Sequence, residues 1–149
     1  MLAAGTDGIV DLSVANLRDG LRDQVFAQTD GRGADVVLDM LGGDIFDAAL
    51  RAVAWCGRVV VIGFATGRIP EIKANYLLVK NIEVSGLQIS DYRKRRPEIL
   101  RTCFEEVFRF FEQGRIKSGP VTTFPLERHA DALLSLAERR AAGRVVLTP

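Results

Sequence analysis

The chain has 149 residues, of which 48% are hydrophobic and 26% charged, and its formal net charge is +1. This composition is typical of one globular domain with a proper core, and the small net charge gives no reason to expect a nucleic-acid partner. No apolar run approaches the ~20 residues of a membrane span, so no membrane association is expected. Two cysteines, Cys56 and Cys103, suit a reducing cytoplasm better than a disulfide framework, and we expect both to be small core residues.

The first third of the chain predicts a strand, a helix and a second strand. Gly8–Leu12 is a brief strand candidate. Leu17–Thr29 carries apolar residues at helical spacing and ends before two glycines, so it predicts an amphipathic helix. Asp35–Met40 is apolar at its centre and predicts a strand, which the pair Gly42-Gly43 closes.

A second helix and a third strand follow. Asp44 is placed to cap this helix, and Gly57 is placed to end it. The expected inner face comprises Phe46, Ala49, Leu50 and Val53. Val59–Ile62 is an unbroken apolar run, which is typical of a strand that is buried on both faces.

The stretch Arg58–Gln88 contains two strands that each end at a glycine. Val59–Ile62 runs into Gly63, and a short helix at Tyr76–Val79 precedes the strand Ile82–Ser85, which ends at Gly86. Strands that alternate with helices must be parallel, because each connection crosses back over the sheet. Ligands of such sheets gather outside the carboxyl ends of the strands. The sequence therefore predicts an α/β fold with a ligand platform in this stretch.

The last third predicts a long helix from Pro97, a boundary near Gly114 and then a strand, a helix and a strand. Apolar residues recur in the long helix at three- and four-residue steps, and the preceding basic cluster Arg93–Arg96 is expected to be a solvated lead-in. The inward residues expected in the long helix are Ile99, Leu100, Cys103, Phe104, Val107, Phe108 and Phe111. Pro120–Leu126 is expected to be extended, Glu127–Arg140 helical with Ala130, Leu133, Leu134 and Ala137 inward, and Arg144–Leu147 a strand.

Metal-binding and acid–base chemistry find little support in the residues. The chain has one histidine and two cysteines, which cannot form a closed zinc site without recruiting carboxylates. His129 is expected to be an exposed or capping residue. Asp35 and Asp39 flank one strand without an evident partner, so no residue is assigned a catalytic role and no metal site is expected.

Six segments in order resemble the zinc-independent quinone oxidoreductase family of the medium-chain dehydrogenase/reductase superfamily. They cover nearly the whole chain. In chain order they are Gly31–Val37, Leu41–Asp44, Gly57–Phe64, Ile69-Pro70, Asn75–Asn81 and Gly143–Leu147.

The resemblance implies that only part of the family's fold is present. Relatives carry a Rossmann domain, which is a doubly wound parallel sheet, together with a GroES-like catalytic domain. This chain has no G-x-G-x-x-G, and it resembles the part after the first two strands and the phosphate loop. We therefore expect residues 1–113 to form a truncated dinucleotide-binding domain and residues 114–149 to form a C-terminal tail of the catalytic domain.

The resemblance also implies a cofactor site. In relatives, the positions matching Gly63, Phe64 and Ala65 pass beside the nicotinamide ribose. Those matching Gly86, Leu87 and Gln88 contact the carboxamide end of the ring. Arg144 stands where relatives often carry a basic residue near the cofactor, while turn geometry alone explains Gly42 and Gly43.

The implied function is NADPH-dependent reduction of a quinone or enone without zinc. The alternative is a non-catalytic fragment that acts only as a self-association module, and weak or no NADPH binding is expected of this chain alone because the pyrophosphate cradle is missing. A homodimer is expected, formed through the strand Ile82–Ser85 or through the exposed edge of Asp35–Met40. The alternative for the second edge is that Gly8–Leu12 of the same chain pairs with it. The acceptor substrate and the choice between NADPH and NADH are left open.

Overall fold

A computed structural model describes residues 5–138 and 140–149 of the chain. The chain forms two compact units, Met1–Pro97 and Glu98–Pro149. The division between the units falls after Pro97, the first residue of the long helix, and the predicted boundary near Gly114 stays a prediction. The assignment of the two parts to a cofactor domain and a catalytic domain stays a prediction.

The first unit is a parallel sheet with helical connections. Its elements are α1 (Leu17–Gln28), β1 (Ala34–Asp39), α2 (Gly43–Ala52), β2 (Val53–Val61), α3 (Ala74–Lys80), β3 (Glu83–Gly86) and α4 (Ile89–Arg95). The strand order is β1-β2-β3, and both pairings are parallel. The predicted α/β fold is confirmed, although helix α4, which contains most of the basic cluster, was not predicted from the sequence.

The core of this unit lies between the sheet and the helices. Phe46 of α2 and Val59 of β2 are fully buried, and Val59 pairs with Val37 on one side and Val84 on the other. Because side chains alternate along a strand, these positions face the same helical layer. The predicted inner face of α2 is buried at Phe46, Leu50 and Val53 and partly buried at Ala49.

The join between α2 and β2 differs from the prediction. The helix ends at Ala52, and β2 begins at Val53, so Gly57 lies within the strand and does not end the helix. Ala34 pairs with Val53, but Val36 already pairs with Arg58, so the intervening residues of β2 form an irregular insertion. Cys56 lies in this insertion with a φ of +61° and is exposed, so the expectation of a core cysteine is wrong there.

The expected strand Gly8–Leu12 does not form, and this segment does not extend the sheet. Side chains of α1 occupy its backbone groups instead. Gln24 accepts from the Asp11 N–H at 2.7 Å and donates to the Asp11 carbonyl at 2.9 Å, while Gln28 donates to the Ile9 carbonyl at 2.9 Å. Within the described residues, β1 is therefore an edge strand that pairs only with β2.

The second unit contains α5 (Pro97–Glu112), β4 (Val121–Pro125), a 3₁₀ turn at Leu126–Arg128, α6 (His129–Ala137) and β5 (Arg144–Thr148). The first residue of α5, Pro97, is counted in the first unit. The strands β4 and β5 pair in parallel, with α6 between them in the chain. These elements agree with the predicted order of helix, strand, helix and strand.

Burial in the second unit differs from the sequence pattern. No residue of α5 is buried, and Cys103 is exposed rather than a core residue. In α6 the buried residues are Ala132 and Ser135, whereas the expected inward residues, Ala130, Leu133, Leu134 and Ala137, are exposed. An apolar stripe shows which face a helix can bury, but it does not supply the element that covers it. Among the described residues, no helix has the length and apolar character needed to cross a membrane.

Candidate functional site

Three loops meet at one edge of the sheet because β1, β2 and β3 are parallel neighbours. The predicted residues Gly63–Ala65 follow β2, and Gly86–Gln88 end and follow β3. Val61 pairs with Gly86, and the Leu87 N–H donates to the Val61 carbonyl at 2.9 Å. The structure thus brings six of the seven predicted cofactor residues to the same edge, although it does not test their role.

Asp39 holds the loop that follows β1. Its side chain is buried with the residue only 5% exposed, and its carboxylate accepts the Gly42 N–H at 3.0 Å and the Leu41 N–H at 3.3 Å. Its backbone carbonyl accepts the Ile62 N–H at 2.7 Å. One residue therefore fixes the first loop through its side chain and the start of the second loop through its backbone.

The loop after β2 is bonded along its length to the loop after β1. The Ala65 N–H donates to the Met40 carbonyl at 3.1 Å. The Thr66 N–H and hydroxyl both donate to the Leu41 carbonyl at 2.9 Å. These bonds hold Gly63–Ala65 in one conformation instead of leaving them as a free connection.

Arg68 closes the same loop onto the start of α2. It donates to Asp44 at 2.9 Å and also to Asp47. Hydrogen bonding to Asp47, followed by the charges of both carboxylates, raises the pKa of the Arg68 guanidinium. The expectation that Asp44 caps α2 is wrong, because the N-cap is Gly42 and makes no side-chain cap bond.

Gly42 allows the first two loops to approach closely. Its φ is +69°, a left-handed conformation that glycine adopts without strain. A Cβ at this position would lie 2.9 Å from the Arg68 carbonyl oxygen and 3.2 Å from Cδ1 of Phe64. The Phe64 ring therefore packs beside bare backbone, and Gly42 has a structural role in the site beyond turn geometry.

The surface that these loops offer is uncharged and partly apolar. Phe64 is 41% exposed and Leu87 is 38% exposed. Gln88 is exposed and makes no cap bond to α4, and the space beside Gly86 where a Cβ would stand is open. An aromatic ring, an aliphatic side chain and an amide suit a flat ligand with a carboxamide. The N–H groups of Ala65 and Leu87 already donate within the protein, so these two donors are not available to a ligand.

The other residues singled out in the sequence belong to other elements of the chain. Arg144 is the first residue of β5 in the second unit, where it pairs with Val121. His129 begins α6 and is exposed. Asp35 is exposed at the start of β1 and pairs with Arg32.

Asp39 is the site residue that the sequence did not reveal as important. In the structure its carboxylate accepts backbone N–H groups of the loop that follows β1. The available signal was an aspartate at the carboxyl end of an apolar strand, three residues before Gly42. A short acidic side chain in that position can accept backbone N–H groups of its own turn.

Comparison with known proteins identifies the family. A family model described as "Zinc-binding dehydrogenase" matches residues 5–147. The chain belongs to this family. It is 38% identical over 136 residues to the quinone oxidoreductase-like protein 2 of Bos taurus, a match that covers 91% of this chain and 39% of the relative. A homologue from Nematostella vectensis is 36% identical over 131 residues, covering 87% of this chain and 36% of that relative.

Solved structures of other proteins share the fold of this chain. A quinone oxidoreductase from Pseudomonas syringae superposes with a TM-score of 0.74 at 28% identity, over 87% of this chain and 40% of that one. A mycobacterial protein complexed with NADPH superposes with a TM-score of 0.74 at 26% identity, over 86% of this chain and 40% of that one. The chain is thus similar in fold to part of these larger proteins. The chain spans about two fifths of the length of its matched relatives.

The family description implies zinc. Within residues 5–138 and 140–149, no group of three or more His, Cys, Asp and Glu side chains is placed to hold a metal ion. The donor set described here therefore does not fit a zinc ion.

Proposed function

We propose that this chain forms the nicotinamide-binding part of an NADPH-dependent oxidoreductase that reduces a quinone or an enone without zinc. The observation that carries the proposal is the meeting of Gly63–Ala65 and Gly86–Gln88 at the carboxyl ends of β2 and β3. Ligands of open parallel sheets lie at this edge. The NADPH-bound mycobacterial structure and the quinone oxidoreductase-like relatives support the same cofactor and substrate class.

In this proposal the chain binds and orients a nicotinamide ring. Phe64 and Leu87 provide apolar walls, and the Gln88 amide pairs with the carboxamide of the ring. Asp39 is a positioning residue, since it fixes the backbone on which Phe64 stands. When bound, the nicotinamide supplies the hydride, so no protein nucleophile is required and none is assigned.

The proposal extends to parts of the function that this chain alone would not perform. The chain contains no G-x-G-x-x-G, the motif whose backbone N–H groups hold a cofactor pyrophosphate. Turnover of a quinone or enone is therefore proposed for a protein that also supplies that cradle. Arg144 is proposed to assist cofactor binding there. A reducing cytoplasm is proposed as its compartment, since two cysteines suit it better than a disulfide framework.

The experiment is a titration of the ¹⁵N-labelled chain with two halves of the cofactor. Reduced nicotinamide mononucleotide is expected to shift the amides of Gly63–Ala65 and Gly86–Gln88, and adenosine 2′,5′-bisphosphate is expected to leave them unchanged. Binding of the nicotinamide half is expected to be weak, with a Kd of about 1 mM or above, because few contacts are available. Shifts at these loops with the adenosine half, or with neither half, would contradict the proposal.

The second candidate function is self-association, and a specific observation favours it. Both β1 and β3 are edges of the described sheet, and Val36 and Leu38 of β1 are 54% and 61% exposed. Unpaired apolar edge strands are templates for another chain. We propose a homodimer through Glu83–Gly86 or through the β1 edge. Light scattering up to about 0.5 mM protein would detect a dimer with a Kd of ~0.1 mM. A molar mass that stays monomeric over this range would argue against the homodimer.

A further inference from the structure

A cavity on the helical side of the first unit is not explained by nicotinamide binding. It has a volume of about 520 Å³ and lies among α1, α2, α3 and the loop that leads into α3. It shares none of the residues Gly63–Ala65 and Gly86–Gln88. Its volume falls within the ~300–1,000 Å³ range of small-molecule sites.

Basic side chains dominate the wall of this cavity. Arg18, Arg51, Arg68 and Lys73 line it together with Tyr76. A second cavity of about 250 Å³ shares Arg51 and Tyr76, and it adds Arg22, Phe26 and Lys80. Six cationic side chains therefore line the two adjoining cavities, and only two acidic residues, Asp47 and Glu71, belong to the same lining.

The cations differ in how far the protein already neutralises them. Arg68 is committed to Asp44 and Asp47, so it closes the rim and is not counted toward a ligand. In the described part of the chain, Arg18, Lys73 and Lys80 have no carboxylate within 4.0 Å. Among residues 5–138 and 140–149, Lys80 donates only to backbone carbonyls, those of Arg51 at 2.6 Å and Val53 at 2.9 Å.

Arg51 lies between the two cavities and is only partly satisfied. One of its terminal nitrogens donates to Asp19 at 2.9 Å, and its side chain is 22% exposed. Its Nε–H is buried and has no partner in the described residues. An unpaired buried donor on a charged group is costly, so a further acceptor near this guanidinium would be favourable.

The pKa values of two side chains beside this cluster are lowered, in part by its positive charge. Hydrogen bonding from Arg51, with a smaller contribution from Arg18, lowers the pKa of the Tyr76 hydroxyl. Burial first, and then the charges of Arg22 and Arg51, lowers the pKa of the Lys80 ammonium. The direction of the Tyr76 shift agrees with positive charge beside its hydroxyl, whereas the Lys80 shift reflects burial first and neighbouring positive charge second.

We infer that this cavity binds a phosphate or diphosphate group of a small organic molecule, held by Arg18, Arg51 and Lys73 with the hydroxyl of Tyr76. Several converging cations match the charge and oxygen number of a phosphate better than those of a single carboxylate. The adjoining space beside Phe26 would take an apolar part of the same molecule. This inference is independent of the nicotinamide site.

The test is a titration of the ¹⁵N-labelled chain with inorganic pyrophosphate at constant ionic strength. Shifts are expected at the amides of Arg51, Lys73 and Tyr76, saturating with a Kd below about 1 mM. Citrate, an organic polycarboxylate of comparable charge, serves as the competing chemistry and is expected to bind more weakly.

Three variants accompany the titration. Arg18→Gln and Lys73→Gln each remove a cation with no ion pair, and each is expected to weaken pyrophosphate binding about tenfold, the value of one charge-assisted hydrogen bond. Arg58→Gln removes an exposed cation outside both cavities and is expected to bind as the parent does. Circular dichroism and urea unfolding of each variant establish that the fold is kept.

Three results would overturn the inference. They are equal binding in the parent and in the folded Lys73→Gln and Arg18→Gln variants, shifts confined to Gly63–Ala65 or Gly86–Gln88, and tighter binding of citrate than of pyrophosphate. None of these depends on whether reduced nicotinamide mononucleotide binds, so the two sites succeed or fail separately.

Discussion

Replacing Asp39 by alanine tests whether this carboxylate holds the loop that begins the candidate site. The side chain accepts two backbone N–H groups, from Leu41 at 3.3 Å and from Gly42 at 3.0 Å, and Gly42 is buried. Each buried donor left unpaired costs about 1–3 kcal/mol, and water can reach the partly exposed Leu41 more easily. We therefore expect Asp39→Ala to lower the free energy of unfolding by about 2–4 kcal/mol.

Urea unfolding followed by circular dichroism measures this loss, and Asp35→Ala is the matched control. Asp35 lies on the same strand, but its side chain is 60% exposed and pairs with Arg32 at the surface, so its removal is expected to cost less than about 1 kcal/mol. Asp39→Asn keeps one acceptor oxygen and should fall between the two. Equal free energies of unfolding for Asp39→Ala and Asp35→Ala would refute the anchoring role.

Three further predictions concern the core, the acid limb of stability and the exposed edge. Phe46→Ala should lower the free energy of unfolding by about 3–5 kcal/mol. Leu38→Ala, at a position 61% exposed, should change it by less than about 0.5 kcal/mol. Similar losses for both variants in urea unfolding would contradict the central place of Phe46 in the core. Hydrogen bonding from Asn16, with a smaller contribution from Arg51, lowers the pKa of the Asp19 carboxyl below 3.8, so its stabilisation is present above that pH and is lost as pH falls through the lower folded-state pKa. Acid unfolding should therefore be less steep in Asp19→Asn than in the parent, and an unchanged acid limb would count against this. Leu38→Lys should reduce concentration-dependent association in light scattering if the β1 edge mediates it, and an unchanged mass at every concentration would exclude that edge.

The sequence predicted the elements whose patterns are local. The helix from Pro97 and the strand around Val59 were confirmed, because periodicity and apolar runs record secondary structure directly. The parallel sheet was also confirmed, since alternation of strands and helices admits little else. In the site, the same reasoning placed Gly63–Ala65 and Gly86–Gln88 at one edge.

Two of the errors depend on contacts that are distant in the chain, and the third depends on hydrogen bonds within one turn. Gly8–Leu12 has a strand-like composition, but the side chains of Gln24 and Gln28 take its backbone groups. The apolar stripe containing Cys103 predicted a helix but could not show whether anything covers it. Asp39 accepts backbone N–H groups two and three residues later through its carboxylate and one from the end of β2 through its carbonyl, and a pattern of acid–base pairs does not indicate such contacts.

The most direct test of the account is the titration of the ¹⁵N-labelled chain with reduced nicotinamide mononucleotide. The account predicts that the largest amide shifts occur at Gly63–Ala65 and Gly86–Gln88, and that they diminish in Asp39→Asn, whose loop is less firmly held. Gln88→Ala should weaken the binding of the nicotinamide compound about tenfold or less, as expected for one neutral hydrogen bond. Shifts that spare both loops, or that are the same with and without the nicotinamide ring, would contradict the account.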